Sequence, residues 1–195
     1  MSKGQETKTA ILDEALAVAS QVGFTGLSIG HLAERTGMSK SGLFAHFQSK
    51  EQLQLQTLDH AKRRFIDTTV RPALIVPRGE ERVRELFERW LVWEAELPGG
   101  CIFVTGSIEF DDQPGPMHDA LVADQRDWLD TIATVVEAAV SEGDFHDGVD
   151  PRQVAFELQA LTLGFHHVAR LLGDEHAVDH VRAAFEAILE RARAH

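Results

Sequence analysis

The sequence has a single cysteine, Cys101, and no tyrosine. One cysteine excludes an internal disulfide framework, and its place in an apolar run reads as an inert buried thiol rather than a redox sensor. No run reaches the ~18 apolar residues that a membrane span requires. Residues Met1 to Thr9 are polar and carry no apolar core of a secretory signal. A cytoplasmic chain with no membrane contact is therefore expected. No internal repeat or low-complexity segment is visible, and no stretch alternates long enough to be a convincing strand. Signatures of chemistry are also missing. His176 and His180 stand four apart, as metal ligands can, and His166 and His167 adjoin an apolar segment. No HExxH, no CxxC and no convincing carboxylate set completes a site. No metal, no cofactor and no enzymatic activity is expected.

What remains is ordinary for a globular protein. Hydrophobic residues make up 44% of the 195 positions, enough to bury a real core. The net charge of −12 at first argues against nucleic acid. Its distribution reverses the argument. Residues 1–50 hold five Lys/Arg and four Asp/Glu, and the rest of the chain holds 14 and 27. An acidic body behind a neutral-to-basic head repels DNA everywhere except at the head.

The periodicity is helical throughout. A first helix spans about Thr7–Val22, with Ile11, Ala15, Val18, Ala19 and Val22 on one stripe and Gly23 as its stop. Ser28 caps a short second helix with Leu32 and Ala33 inward, and Gly37 ends it. Ser39 caps a third helix to about Phe47. Ser49 and Gln52 form a capping box for a fourth, running to about Val70 and closed by Pro72 and Pro77. Further helices are expected over about 80–97, 117–142, 151–172 and 175–194. Asp150, Pro151 and Gln153 supply the cap, the first-turn proline and the capping box of the third of these. The apolar segment from Cys101 to Phe110 fits a helix or a strand. Pro98-Gly99-Gly100 and Pro114-Gly115-Pro116 bracket it and could let it move.

Residues 27–47, LSIGHLAERTGMSKSGLFAHF, concentrate the functional signal. Ala33 is small enough for two helices to approach. Gly37 can take the positive φ of a tight turn. Met38, Leu43 and Phe47 bury one side of the next helix. Its other side presents Ser39, Lys40, Ser41, Gly42, Phe44 and His46. That face is small, polar and basic at a helix N-terminus, which suits a phosphate-lined major groove. An αα-corner inside a helical bundle shares the spacing. A bundle helix would not normally expose Lys40, Ser41, Gly42 and Phe44 together. Lys50, beside the start of the fourth helix, is placed to meet a phosphate. Lys62-Arg63-Arg64 reads as a solvated helix face.

The stretch from about Thr7 to Leu58 resembles the DNA-binding domain of TetR-family regulators. The matching residues are Gly23-Phe24, Leu27-Ser28, Leu32-Ala33, Gly37-Met38-Ser39-Lys40-Ser41-Gly42-Leu43-Phe44, His46-Phe47, Ser49-Lys50-Glu51 and Leu53. The resemblance implies an all-α fold: an N-terminal three-helix helix-turn-helix domain, residues 1–50, and a C-terminal helical effector-binding and dimerisation domain, residues 51–195. It implies that Ser28, Ser39, Lys40, Ser41, Phe44, His46 and Lys50 lie at the DNA. Phe44 stands where the family carries tyrosine, so that hydroxyl's phosphate bond is absent here, and His46 can supply one.

In the second half, Trp90, Trp93, Phe103, Phe110, Met117, Trp128, Phe156 and Phe165 are either core or the lining of a cavity. Trp90, Trp93, Phe103, Phe110, Met117, Trp128, Phe165 and His166 are the residues expected around an apolar or aromatic effector. The helix from Val154 to Leu172 is apolar nearly all round, and Gly164 would admit a close partner, so a homodimer through the last two helices is expected. The sum is a repressor that leaves a near-palindromic operator when a small effector binds. A constitutive regulator without effector, and a helical ligand-binding protein or enzyme, are the rival readings.

Overall fold

A computed structural model of the chain describes residues 3–194; Met1, Ser2 and His195, and with them the start of the polar N-terminal stretch, lie outside it. The described residues form ten α-helices and two π-helical turns, with one isolated bridge between Phe145 and Arg193 in place of any sheet. In chain order the helices are α1 (Lys3–Gly26), α2 (Ile29–Thr36), α3 (Lys40–Phe47), α4 (Lys50–Phe65), α5 (Arg71–Ile75), α6 (Glu80–Glu96), α7 (Ile102–Phe110), α8 (Pro116–Ser141), α9 (Pro151–His166) and α10 (Ala177–Ala192).

Local chemistry sets these boundaries. α1 is regular to Val22, where Gly23 adopts φ 73° and ψ 168° and leaves one further turn, Phe24–Gly26. Ser28, Ser39 and Ser49 are extended, and each hydroxyl accepts a first-turn amide: His31 at 3.1 Å, Gly42 at 3.1 Å and Gln52 at 3.0 Å. Each such cap is worth ~1 kcal/mol. The segment 102–110 is a helix, which resolves the ambiguity of the sequence.

Three expectations need correction. At α4 the Ser49 hydroxyl caps the Gln52 amide, but the Ser49 amide donates to the Phe47 carbonyl at 2.7 Å, so no capping box closes. Pro72 does not close the fourth helix. The ladder is already broken by the π-helical turn Ile66–Val70, and Pro72 enters the first turn of α5, where its missing N–H costs nothing. The chain turns extended only at Val76, before Pro77. At α9, Asp150 accepts the amide of Arg152 at 2.9 Å, but Gln153 turns away to Glu157 and completes no capping box.

The chain divides into two compact units. The first takes the residues up to Ile66 together with Ala95–Ala123; the second takes Asp67–Glu94 and Asp124 onward. The first thus reaches beyond residue 50, because α4 buries Leu53, Gln54, Thr57 and Leu58 within it. Its core includes Leu12, Leu16, Phe24, Leu27, Leu32, Leu43, Phe47 and Ile102, each 4% exposed or less. Burying a side chain of this size stabilises by ~1.5–3 kcal/mol.

The second unit centres on α6, α8, α9 and α10. Phe87 and Phe185 stack at 3.9 Å between ring centroids, and Phe165 meets Trp90 edge-on at 5.6 Å. An ionic clasp closes one end. Arg193 donates to both oxygens of Glu80 and to Glu186, and Arg84 donates to the same two carboxylates. The Glu80 carboxyl is held below its ordinary range, chiefly by the Arg193 hydrogen bond; Glu186 is lowered chiefly by Arg84.

Candidate nucleic-acid interface

α3 has only eight residues, too few to be stable alone. It is held through Leu43 and Phe47, both fully buried. The turn before it is locked. Gly37 sits at φ 68°, ψ 11°, a left-handed conformation that glycine adopts without strain. The Thr36 hydroxyl donates to the Leu32 carbonyl and accepts the Met38 amide. With its inner face buried, α3 has its first turn and Phe44 in solvent.

Ser39, Lys40, Ser41 and Phe44 are exposed, Phe44 to 56%. Among the described residues the Lys40 ammonium has no ion-pair or hydrogen-bond partner. It runs back over the first turn of α2. A methyl placed on Gly30 would stand 3.7 Å from Lys40 Nζ and 3.8 Å from Ser28 Oγ. Two capped helix N-termini and one lysine therefore share a small surface, which favours an anion such as phosphate. The Ser39 and Ser41 hydroxyls lie 3.2 Å apart. Gly42 and His46 are half-buried. The Gly42 amide donates to Ser39, and the His46 ring packs on Phe47 with centroids 6.2 Å apart. Lys50 is exposed, but its ammonium donates to the Thr25 carbonyl. A phosphate at Lys50 shares the ammonium with that bond. Arg35 is paired with Glu14 at 2.7 Å.

The residues expected around an effector do not all gather. Trp90 and Trp128 line a void of about 20 Å³ in the second unit, with Val83, Leu86, Phe87, Ile132, Val135, Leu158 and Thr162. Trp93, Phe165 and His166 belong to the same unit. Phe103, Phe110 and Met117 belong to the first unit, where Phe103 meets Phe65 at 5.6 Å and Phe110 meets Phe24 at 6.4 Å. Sequence reasoning missed Glu94. Its carboxylate is buried, and it meets His166 Nδ1 at 2.7 Å. The visible signal was its position four residues after Trp90, on the apolar side of α6.

The outer face of α9 carries Phe156 at 66% and Leu163 at 39% exposure, and the turn after it exposes Leu171 and Leu172. Gly164 opens onto a groove of about 200 Å³ between α9 and α10. Among the described residues no group of three His, Cys, Asp or Glu side chains could hold a metal ion, and no helix is long and apolar enough to cross a membrane.

Residues 11–57 match the family of bacterial regulatory proteins, tetR family, and residues 79–185 match the tetracyclin repressor-like C-terminal domain. The chain is 40% identical over 171 residues to the HTH-type transcriptional regulator RutR of Escherichia coli O157:H7, covering 80% of this chain and 71% of that one. It superposes on a TetR transcriptional regulator from Chloroflexus aurantiacus J-10-FL with a TM-score of 0.88 and 26% identity over the full length of both chains. AibR, solved in complex with isovaleryl coenzyme A and operator DNA, shares the fold at a TM-score of 0.67 and 22% identity, over 80% of this chain and 84% of that one.

Proposed function

Because this chain belongs to the TetR family of bacterial regulatory proteins, and is thus a DNA-binding transcriptional regulator rather than an enzyme, we propose that it acts as a cytoplasmic homodimeric repressor. It grips a near-palindromic operator with two copies of α3 and releases it when a small apolar or aromatic effector binds. The observation that carries this reading is the outward face of α3. Ser39, Lys40, Ser41 and Phe44 are in solvent on a helix whose other side is fully buried. With Ser28, Gly42, His46 and Lys50 they form the DNA-contacting set. The reading part is residues 1–50, within the first unit, and the effector and partner sites fall within residues 51–195.

The unpartnered apolar face of α9 supports dimerisation through α9 and α10. Symmetric association places two heads on half-sites one helical turn apart, about 34–36 Å, or a multiple of it. For the effector, Trp90, Trp93, Trp128, Phe165 and His166 of the second unit are the stronger members of the set. Phe103, Phe110 and Met117 serve the packing of the first. The void of about 20 Å³ holds no more than a water-sized molecule, whereas an apolar cavity that takes benzene measures about 150 Å³. Effector entry there must therefore displace side chains of α6, α8 or α9. That small volume is also what favours a constitutive regulator without effector. AibR, holding both an acyl-coenzyme A and operator DNA, supports the two-ligand reading for this fold.

The test is to select bound fragments of genomic DNA with the purified protein and footprint the winner. A symmetric protected site, weakened by members of an apolar and aromatic compound library, is the expected result. Protection that no compound changes assigns the constitutive reading. The absence of any selected fragment refutes the DNA reading.

A further inference from the structure

The corner between α1 and α2 is fixed by side chains from outside the helix-turn-helix. Gly23 breaks α1, so the Phe24 amide begins a new turn and has no helical acceptor. Glu109 of α7 supplies one. Its Oε2 accepts the Phe24 N–H at 2.7 Å, and its Oε1 accepts the Thr25 hydroxyl at 2.9 Å. A Cβ at residue 23 would stand 1.7 Å from Glu109 Oε1, so the approach needs glycine, as does the positive φ. The other end of the same peptide is held too. Gln54 Nε2 of α4 donates to the Phe24 carbonyl at 2.6 Å. Four residues later Ser28 caps α2, and both Phe24 and Leu27 between them are fully buried. The Leu27 amide donates back to the Gly23 and Phe24 carbonyls, each at 3.2 Å, so a displaced Phe24 carries Leu27 and the adjoining Ser28 cap with it.

We propose that Glu109 is a positioning residue for DNA recognition: its carboxylate sets the orientation in which α1 delivers α2 and α3, and so the placement of Ser28, Lys40 and Ser41. The inference rests on the DNA reading of α3. Specific binding requires those groups in one register, because base contacts tolerate little misplacement. Non-specific binding rests on phosphate attraction and tolerates it. Loss of Glu109 should therefore separate the two.

The experiment compares wild type, Glu109→Ala and Glu109→Gln on the operator fragment selected by wild type and on an unrelated duplex of equal length. Hydrogen exchange at the Leu43 and Phe47 amides reports whether α3 is still folded. Glu109→Ala should lower operator affinity about tenfold or more, the scale of one charge-assisted hydrogen bond. It should leave affinity for the unrelated duplex and protection in α3 unchanged. Glu109→Gln keeps an acceptor for Phe24 and should restore most of the operator affinity. Operator binding by Glu109→Ala at the wild-type level would overturn the proposal. So would a parallel loss of both affinities with loss of α3 protection, which would make Glu109 part of the scaffold alone. A wild-type protein that selects no DNA would overturn the DNA reading itself, and this inference with it.

Discussion

Leu43→Ala tests how the outward face of α3 is held. α3 is an eight-residue helix with Gly42 in its first turn. A glycine there costs up to about 1 kcal/mol relative to alanine, and helices under ~12 residues are marginal in water. Leu43 and Phe47 are its fully buried apolar anchors. Truncating a fully buried leucine costs about 2.7–5 kcal/mol, more where the site cannot collapse. α2 and α4 are themselves fixed by Leu32, Leu53 and Leu58, all 1% exposed or less, so collapse should be limited and the cost near 3 kcal/mol or above. At about 2–4 °C per kcal/mol for a chain of this length, the melting temperature should fall by roughly 6–12 °C or more. Thermal unfolding followed by circular dichroism, at equal protein concentration, measures the fall. Amide exchange should show α3 losing protection ahead of α1, and operator affinity should fall with it. A melting temperature within about 1 °C of wild type would refute the anchoring argument. So would a variant whose α3 exchanges no faster than α1.

Glu80→Gln should lower the melting temperature at pH 7. The carboxyls of Glu80 and Glu186 are depressed by Arg193 and Arg84, so their stabilisation is complete above the unfolded value of about 4.3 and disappears as pH falls through the folded value. The gap between wild type and variant should accordingly close in acid; a gap constant from pH 7 to pH 3 contradicts it. Phe156→Glu places a charge on the exposed face of α9 and should shift analytical ultracentrifugation from dimer toward monomer, while a dimer of unchanged affinity removes that face from the interface. Trp128→Ala enlarges the void beside Trp90. It should change the concentration at which an effector releases the operator by about 5-fold or more, and an unchanged release curve would place the effector elsewhere.

The head was legible because its signals are local. Ser28, Gly37, Ser39 and Ser49 each act on amides or turns within three residues, and each appears in the role its position in the sequence suggests. The π-helical turns were invisible, since they depend on ladder breaks that no residue pattern announces. Pro72 misled for that reason. The aromatic set was legible as a list and not as a place. Phe103 and Phe110 pack with Phe65 and Phe24, partners 38 and 86 positions away, and helical periodicity carries no information on such pairings. Glu94 with His166, and Glu109 with Phe24, are long-range for the same reason. A buried carboxylate on an apolar helix face was the one hint of the first pair; the second had none.

The claim that the outward face of α3 reads DNA is tested most directly by selection from random-sequence duplex DNA with wild type and with Lys40→Ala in parallel. Lys40 is exposed and has no partner among the described residues, so the variant should unfold at the wild-type temperature. Wild type should enrich a near-palindromic sequence with half-sites one or more helical turns apart, and the folded variant should enrich no sequence or bind the wild-type site far more weakly. Enrichment of the same sequence by Lys40→Ala with undiminished affinity would contradict the assignment of α3 as the recognition helix.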